Sequence, residues 1–101
     1  METHARKLLL ILTEGALEKA LAADVLRLGA QSYSVYDVRA GDRDGERAAS
    51  WEGDRNIEVK VIATEAVAEA IARHVLETYC PHYAVRMFLA DVEVLRPEKF
   101  T

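Results

Sequence analysis

Ser32-Tyr33-Ser34-Val35-Tyr36-Asp37-Val38 and Ile57-Glu58-Val59-Lys60-Val61-Ile62 read as two β-strands, and residues 40–55 between them carry no hydrophobic rhythm. The second run alternates β-branched residues with Glu58 and Lys60, the period of a strand buried on one side. The connection 40–55 holds Gly41, Gly45, Gly53, Arg43, Arg47, Arg55 and Trp51. So long a connection inside a compact domain is uncommon and points to function.

Working outward, Lys7 to Thr13 is a continuous apolar run that suits a central strand covered on both faces. Thr13 is placed to cap a following helix, with Glu14 favouring its positive end. Leu17, Leu21, Val25 and Leu28 form a helical stripe that Gly29 stops. A second strand spans about 31–39 and a third spans 56–63. Thr64-Glu65 opens a second helix, whose apolar face holds Ala68, Ile71, Ala72, Val75, Leu76 and Tyr79 and which Cys80-Pro81 ends. Tyr83 to Val94 reads as a fourth strand, apolar on both sides for much of its length, and 95–101 as an extended tail.

The two halves repeat. Thr13-Glu14 matches Thr64-Glu65, Glu18 matches Glu69, Val25-Leu26 matches Val75-Leu76, and Ser32-Tyr-Ser-Val35 matches His82-Tyr-Ala-Val85. A doubled βαβ unit predicts a single α+β domain over 1–101, a ferredoxin-like βαββαβ sandwich. Its two helices lie on one face of the sheet. Strands one and four are apolar on their other side as well, so a second subunit is the expected cover.

Among 101 residues, 13 are Lys or Arg and 17 are Asp or Glu, a net charge of −4 that gives no global attraction to nucleic acid or to an anionic membrane. The strands also lack the basic, aromatic motif of an RNA-binding domain of this architecture. No apolar run is long enough to span a membrane, Leu8–Leu12 is too short for a signal peptide, and the expected location is the cytoplasm. Cys80 is the single cysteine, and His4, His74 and His82 have no short ligand spacing, so no metal ligand or cofactor is assigned. Asp91 and Glu93 read as partners for arginines rather than as an acid–base pair, and no catalytic residue is assigned.

In the long connection, glycine allows close approach of backbone amides to a phosphate, and arginine offers it paired donors. Gly41-Asp-Arg-Asp-Gly45-Glu-Arg47 reads either as a phosphate-holding segment or as a solvated connection whose acids offset its arginines. Trp51 reads either as an anchor for a partner surface or as a cover for the core.

The order of these features resembles the PII-like signalling proteins over nearly the whole chain, Lys7 to Phe100. The resemblance rests on Thr13-Glu14, Leu28-Gly-Ala-Gln-Ser-Tyr-Ser-Val35, the glycine/arginine connection in the place of the family's T-loop, the Trp51-Glu52 exit, Tyr83-Ala-Val85 and Asp91 to Phe100. It implies a non-enzymatic homotrimer with an adenine nucleotide in each cleft between subunits. By position, Gly29, Ser32, Tyr33, Ser34, Val35, Tyr83, Ala84 and Val85 would line the nucleoside. Arg39, Gly41, Arg43 and Arg47 would face phosphates or a second anion, with Asn56, Glu58, Lys60 and Arg96 on the cleft walls.

Nitrogen-sensing members carry a glycine- and lysine-containing loop before the last strand, where this chain has Tyr79-Cys-Pro-His-Tyr83. Its T-loop also lacks a tyrosine to accept a uridylyl group. The tail Arg96-Pro-Glu-Lys-Phe100 looks more like the inorganic-carbon branch, whose members bind AMP or ADP and, in the carboxysome-associated type, bicarbonate. A bicarbonate transporter or a carboxysome component is the partner that branch implies. The alternatives on this scaffold are a CutA-like, metal-linked trimer and a small nucleotide hydrolase.

Overall fold

Leu9, Ile11 and Thr13 are fully buried while Leu8, Leu10 and Leu12 between them are half-buried, the alternation of a strand with two unlike faces. In the computed structural model, which describes residues 1–43, 45–47 and 55–101, this strand is β1 (His4–Glu14). A 3-10 turn (Gly15–Leu17) leads to α1 (Glu18–Arg27), followed by β2 (Ser34–Val38). A ribbon of β3 (Ala40–Asp42) and β4 (Gly45–Arg47) comes next, then β5 (Asn56–Ala63), α2 (Glu65–Thr78) and β6 (Arg86–Val94). A second 3-10 turn, Pro97–Lys99, ends the order.

The main sheet runs β2-β5-β1-β6 with every pair antiparallel. This is the ferredoxin-like βαββαβ arrangement, with the ribbon inserted between β2 and β5. On β5, Ile57, Val59, Val61 and Ala63 are fully buried and face the helices. Leu17, Leu21 and Val25 meet them from the first helical segment, and Ile71 and Val75 from α2. Each of the larger side chains contributes about 1.5–3 kcal/mol by leaving water.

The helix ends follow local chemistry. The Thr64 hydroxyl accepts from the Val67 amide and caps α2. Gly29, at φ 118°, takes the left-handed turn after α1 that a side chain would resist. Thr13 is no cap. It belongs to β1, opposite Ile57, and its hydroxyl donates to the Ala84 carbonyl at 3.3 Å. A 3-10 turn separates β1 from α1, and no side chain caps it.

Other expectations are corrected by tertiary context. Leu76 is 57% exposed, because α2 does not reach over β6. A groove of about 310 Å³ is left there, with Leu76, Cys80, Met87 and Leu89 in its walls. The fourth strand starts at Arg86, since the Tyr79 carbonyl accepts from the amides of His82 and Tyr83 and curls the chain first. The second strand starts at Ser34, where pairing with Lys60 begins. Within the long connection, Ala40–Asp42 and Gly45–Arg47 pair as the ribbon, with Ala40 opposite Arg47 and Gly41 opposite Glu46. Asp91 is paired with Lys7 and Glu93 accepts from Thr3, and among the described residues neither is paired with an arginine. Trp51 and its neighbours 48–54 lie outside the described residues, as does Asp44.

The far face of the sheet is uncovered. Phe88 is 53% exposed and Tyr36 46%, beside half-buried Leu8, Leu10, Leu12 and Ile62.

Between the helices, Asp24 of α1 accepts from the Tyr79 hydroxyl, lies 2.9 Å from His74 Nε2 and accepts from Arg27 at 3.3 Å. Burial pushes the Asp24 carboxyl up, but hydrogen bonds from Tyr79, His74 and Arg27 outweigh it and hold the carboxyl below its usual value. Burial, then Asp24, pushes the Tyr79 hydroxyl up to about 12.

A depressed carboxyl adds stability that is whole above its unfolded pKa, about 3.9, and is lost as pH falls through the folded value. The raised Tyr79 adds stability that is whole below about pH 10 and is lost as pH rises through its folded value. Tyr79→Phe is expected to cost roughly 1–2 kcal/mol in urea unfolding at pH 7. The difference from wild type should shrink at pH 3. An equal difference at both pH values would remove Asp24 from the account.

Candidate functional site

The start of β2 and the middle of β5 form the first site. Ser34 pairs with Lys60 and Tyr36 with Glu58, so these side chains share the uncovered face of the sheet. Ser32, Tyr33, Ser34, Lys60 and Ile62 surround a small cavity of about 50 Å³, closed on one side by Phe100 from the tail. Lys60 Nζ lies 5.3 Å from the centroid of the Tyr36 ring, a cation–π distance. Hydrogen bonding from Lys60, then from Ser34, holds the Tyr36 hydroxyl below its usual range. The arrangement combines an aromatic surface, hydroxyl groups and a cation, which suits a planar, polar, anionic ligand.

A second site lies at the other end of β2, where the ribbon begins. Arg55, just before β5, donates to Glu18 and to Asp37 at 2.8 Å each. Its carbonyl accepts from the Gly15 amide at 2.7 Å. Hydrogen bonds to Glu18 and then Asp37 raise the pKa of the guanidinium, which stays charged throughout. With Val35, these side chains line an open cavity of about 500 Å³. Arg55 thus ties the end of the long connection to the start of α1 and to β2. Gly15 makes the close approach possible: a Cβ there would meet Arg55 Cγ at 2.5 Å.

The residues expected from the sequence fall into separate groups. Ser32, Tyr33, Ser34 and Lys60 come together, with Glu58 on the same sheet face. Val35 points to the opposite face and joins Arg55. Arg39 and Gly41 lie at the base of the ribbon and Arg43 at its turn, while Arg47 is described only by its backbone pairing with Ala40. Tyr83, Ala84 and Val85 lead into β6, the opposite edge of the sheet from β2. Within one chain they do not meet Ser32–Ser34. Gly29 contributes a turn packed near Val67, and Arg96 is paired with Glu98 in the tail.

Ile62 and Phe100 join the first site although the resemblance assigns neither to the cleft. Ile62 was findable, two residues from Lys60 on an alternating strand. Phe100 had no local signal. Glu18 and Asp37 are likewise ordinary surface acids until Arg55 is placed between them.

The family model described as nitrogen regulatory protein P-II matches residues 6–99. A search of the curated proteins finds no match. Among solved structures, a PII-like signalling protein of Thermus thermophilus is 38% identical over 100% of both chains, with a TM-score of 0.87. CPII of Thiomonas intermedia, bound to ADP and bicarbonate, is 20% identical over 99% of this chain and 98% of that one, with a TM-score of 0.85. The same protein bound to ADP, AMP and bicarbonate is 23% identical, covering 98% and 96%, with a TM-score of 0.83.

Gly15→Ala should force Arg55 from its place and lower stability by roughly 1–3 kcal/mol, the usual range for overpacking. In an Arg55→Ala background the same change should cost markedly less, as read by urea unfolding in a double-mutant cycle. Additive losses would separate the glycine from the clamp.

Proposed function

Because the chain belongs to the nitrogen regulatory protein P-II family, we propose that it is a non-catalytic, cytoplasmic regulator that assembles as a homotrimer and binds AMP or ADP together with bicarbonate. The observation that carries this reading is the cavity of Ser32, Tyr33, Ser34, Lys60 and Ile62 at the head of β2. Its hydroxyl-bearing side chains suit the polar edge of a purine, and its apolar wall suits the ring face. CPII, which shares the fold, binds ADP, AMP and bicarbonate.

Two further features support assembly. The uncovered face pairs Leu10 with Phe88 beside Leu8 and Leu12, an exposed apolar surface of the kind that marks an interface, with Lys60 and Glu58 between it and Tyr36. Tyr83–Val85 and Ser32–Ser34 stand on opposite edges, so a cleft between copies is where they would line one ligand. Arg39 at the base of the ribbon and Arg43 at its turn supply the positive charge for phosphate or bicarbonate. Ligand capture there would order the connection 40–55 in one shape and present it to a protein target. A bicarbonate transporter or a carboxysome component is the target class proposed.

Calorimetric titration with AMP, ADP and ATP, with and without bicarbonate, tests this. Micromolar AMP or ADP binding that tightens with bicarbonate is expected, since the two ligands share one loop. Absence of all adenine nucleotide binding would overturn the reading, and steady phosphate release would replace it with hydrolysis. Arg43→Ala should weaken ADP binding by roughly 1.5–3 kcal/mol, the range for a charged hydrogen bond. Phe88→Glu should lower the mass found by light scattering from trimer to monomer, and an unchanged mass would exclude this face as the interface.

A further inference from the structure

The cavity at the head of β2 is about 50 Å³, whereas sites that bury a small organic ligand run from roughly 300 Å³ upward. One wall, Phe100, comes from the tail rather than from the sheet. The tail is strapped over the uncovered face by hooks on either side of the cavity. On β1, Arg6 Nε donates to the Phe100 carbonyl at 2.6 Å and Arg6 Nη2 to the Pro97 carbonyl at 3.2 Å. On the approach to β2, Gln31 Nε2 donates to Thr101 Oγ1 at 2.7 Å, next to Ser32 of the cavity. The third Arg6 donor, Nη1, takes the Ala5 carbonyl, and among the described residues Arg6 forms no ion pair. Its charge is spent on holding backbone oxygens.

We propose that residues 97–101 are a displaceable strap in which Phe100 walls the nucleoside cavity down to a size that admits no ligand, so that nucleotide enters only by displacing it. The inference rests on the nucleotide reading of this cavity and deepens it. An aromatic side chain in the cavity wall, beside the strand start and Ile62, is the kind of surface a purine could replace. The strap's own structure is slight: the amides of Lys99 and Phe100 bond to the carbonyls of Arg96 and Pro97 in a single 3-10 turn. A segment held by so few bonds opens readily without unfolding the sheet beneath. The open fraction then scales the apparent affinity, because ligand binds only molecules whose strap has left. Expulsion also frees the Arg6 guanidinium from the Phe100 and Pro97 carbonyls.

The test titrates wild type, Phe100→Ala and Arg6→Gln with ADP and AMP, and follows amide hydrogen exchange of Lys99 and Phe100 with and without nucleotide. Phe100→Ala should bind about 5–20-fold tighter, corresponding to a strap open in about 5–20% of wild-type molecules. Arg6→Gln loosens the strap without altering the ring and should speed exchange at Lys99 and Phe100 in the absence of ligand. Nucleotide should speed the same exchange in wild type. Binding by wild type with unchanged or weaker affinity in Phe100→Ala would overturn the strap and leave the nucleotide reading standing, as would exchange slowed by ligand. Binding by Phe100→Ala alone would support the strap in its strongest form. Binding by none of the three proteins would overturn both.

Discussion

β1 is hydrogen-bonded along both edges, to β5 and to β6, and this double pairing dictates where every other side chain of the sheet points. With Leu9 opposite Val61 on one side and Leu89 on the other, a row of apolar residues turns toward the helices. The next row, with Leu10 between Lys60 and Phe88, turns away. A slip of one residue would exchange the two rows and bury Lys60 under α1 and α2, at a cost no local contact could offset. The helices cover β5 and β1 closely and leave Leu89 beside α2 43% exposed. The sheet is wider than its helical cover on one face and carries only the tail on part of the other.

Much of this was legible because it is local. Strand alternation in β5, the glycine turn after α1 and the Thr64 cap depend on residues a few positions apart, so a linear reading reaches them. The internal repeat extends to burial: Val25 and Val75 are buried while their neighbours Leu26 and Leu76 are exposed at 48% and 57%. Leu76 was misplaced because hydrophobicity alone does not reveal that the helix layer ends before β6. Thr13 was misplaced because β1 continues one residue past it to pair Glu14 with Asn56, and strand pairing outweighs a helix cap. Tyr79 read as part of an apolar face, yet its hydroxyl crosses to an aspartate 55 positions away.

The candidate site was legible in its members and hidden in its arrangement. Ser32 to Ser34 and Lys60 follow from the family resemblance by position, and register then sets them side by side. Nothing in the linear order says that Phe100 lies against them, or that Arg55 reaches Glu18 and Asp37 at once. Both depend on chain segments folding back from far away. Arg55 also shows how a solvent-facing charge can be structural: 35% exposed, it holds the foot of the long connection with two ion pairs and a backbone bond. Each exposed pair alone contributes little, and the shared guanidinium is what gives the foot a defined position.

The placing of Ser32–Ser34 on one edge of the sheet and Tyr83–Val85 on the other has a genetic consequence under the proposed assembly. A pocket made at a seam belongs to neither chain alone. In a cell making two alleles, one damaged at the β2 edge and the other at the β6 edge, mixed rings would still contain seams at which both contributing edges are sound. The two defects would complement each other. The same two lesions carried in every copy would leave no intact seam. Dominance and rescue would then follow from how copies are shuffled around the ring rather than from how much protein is made.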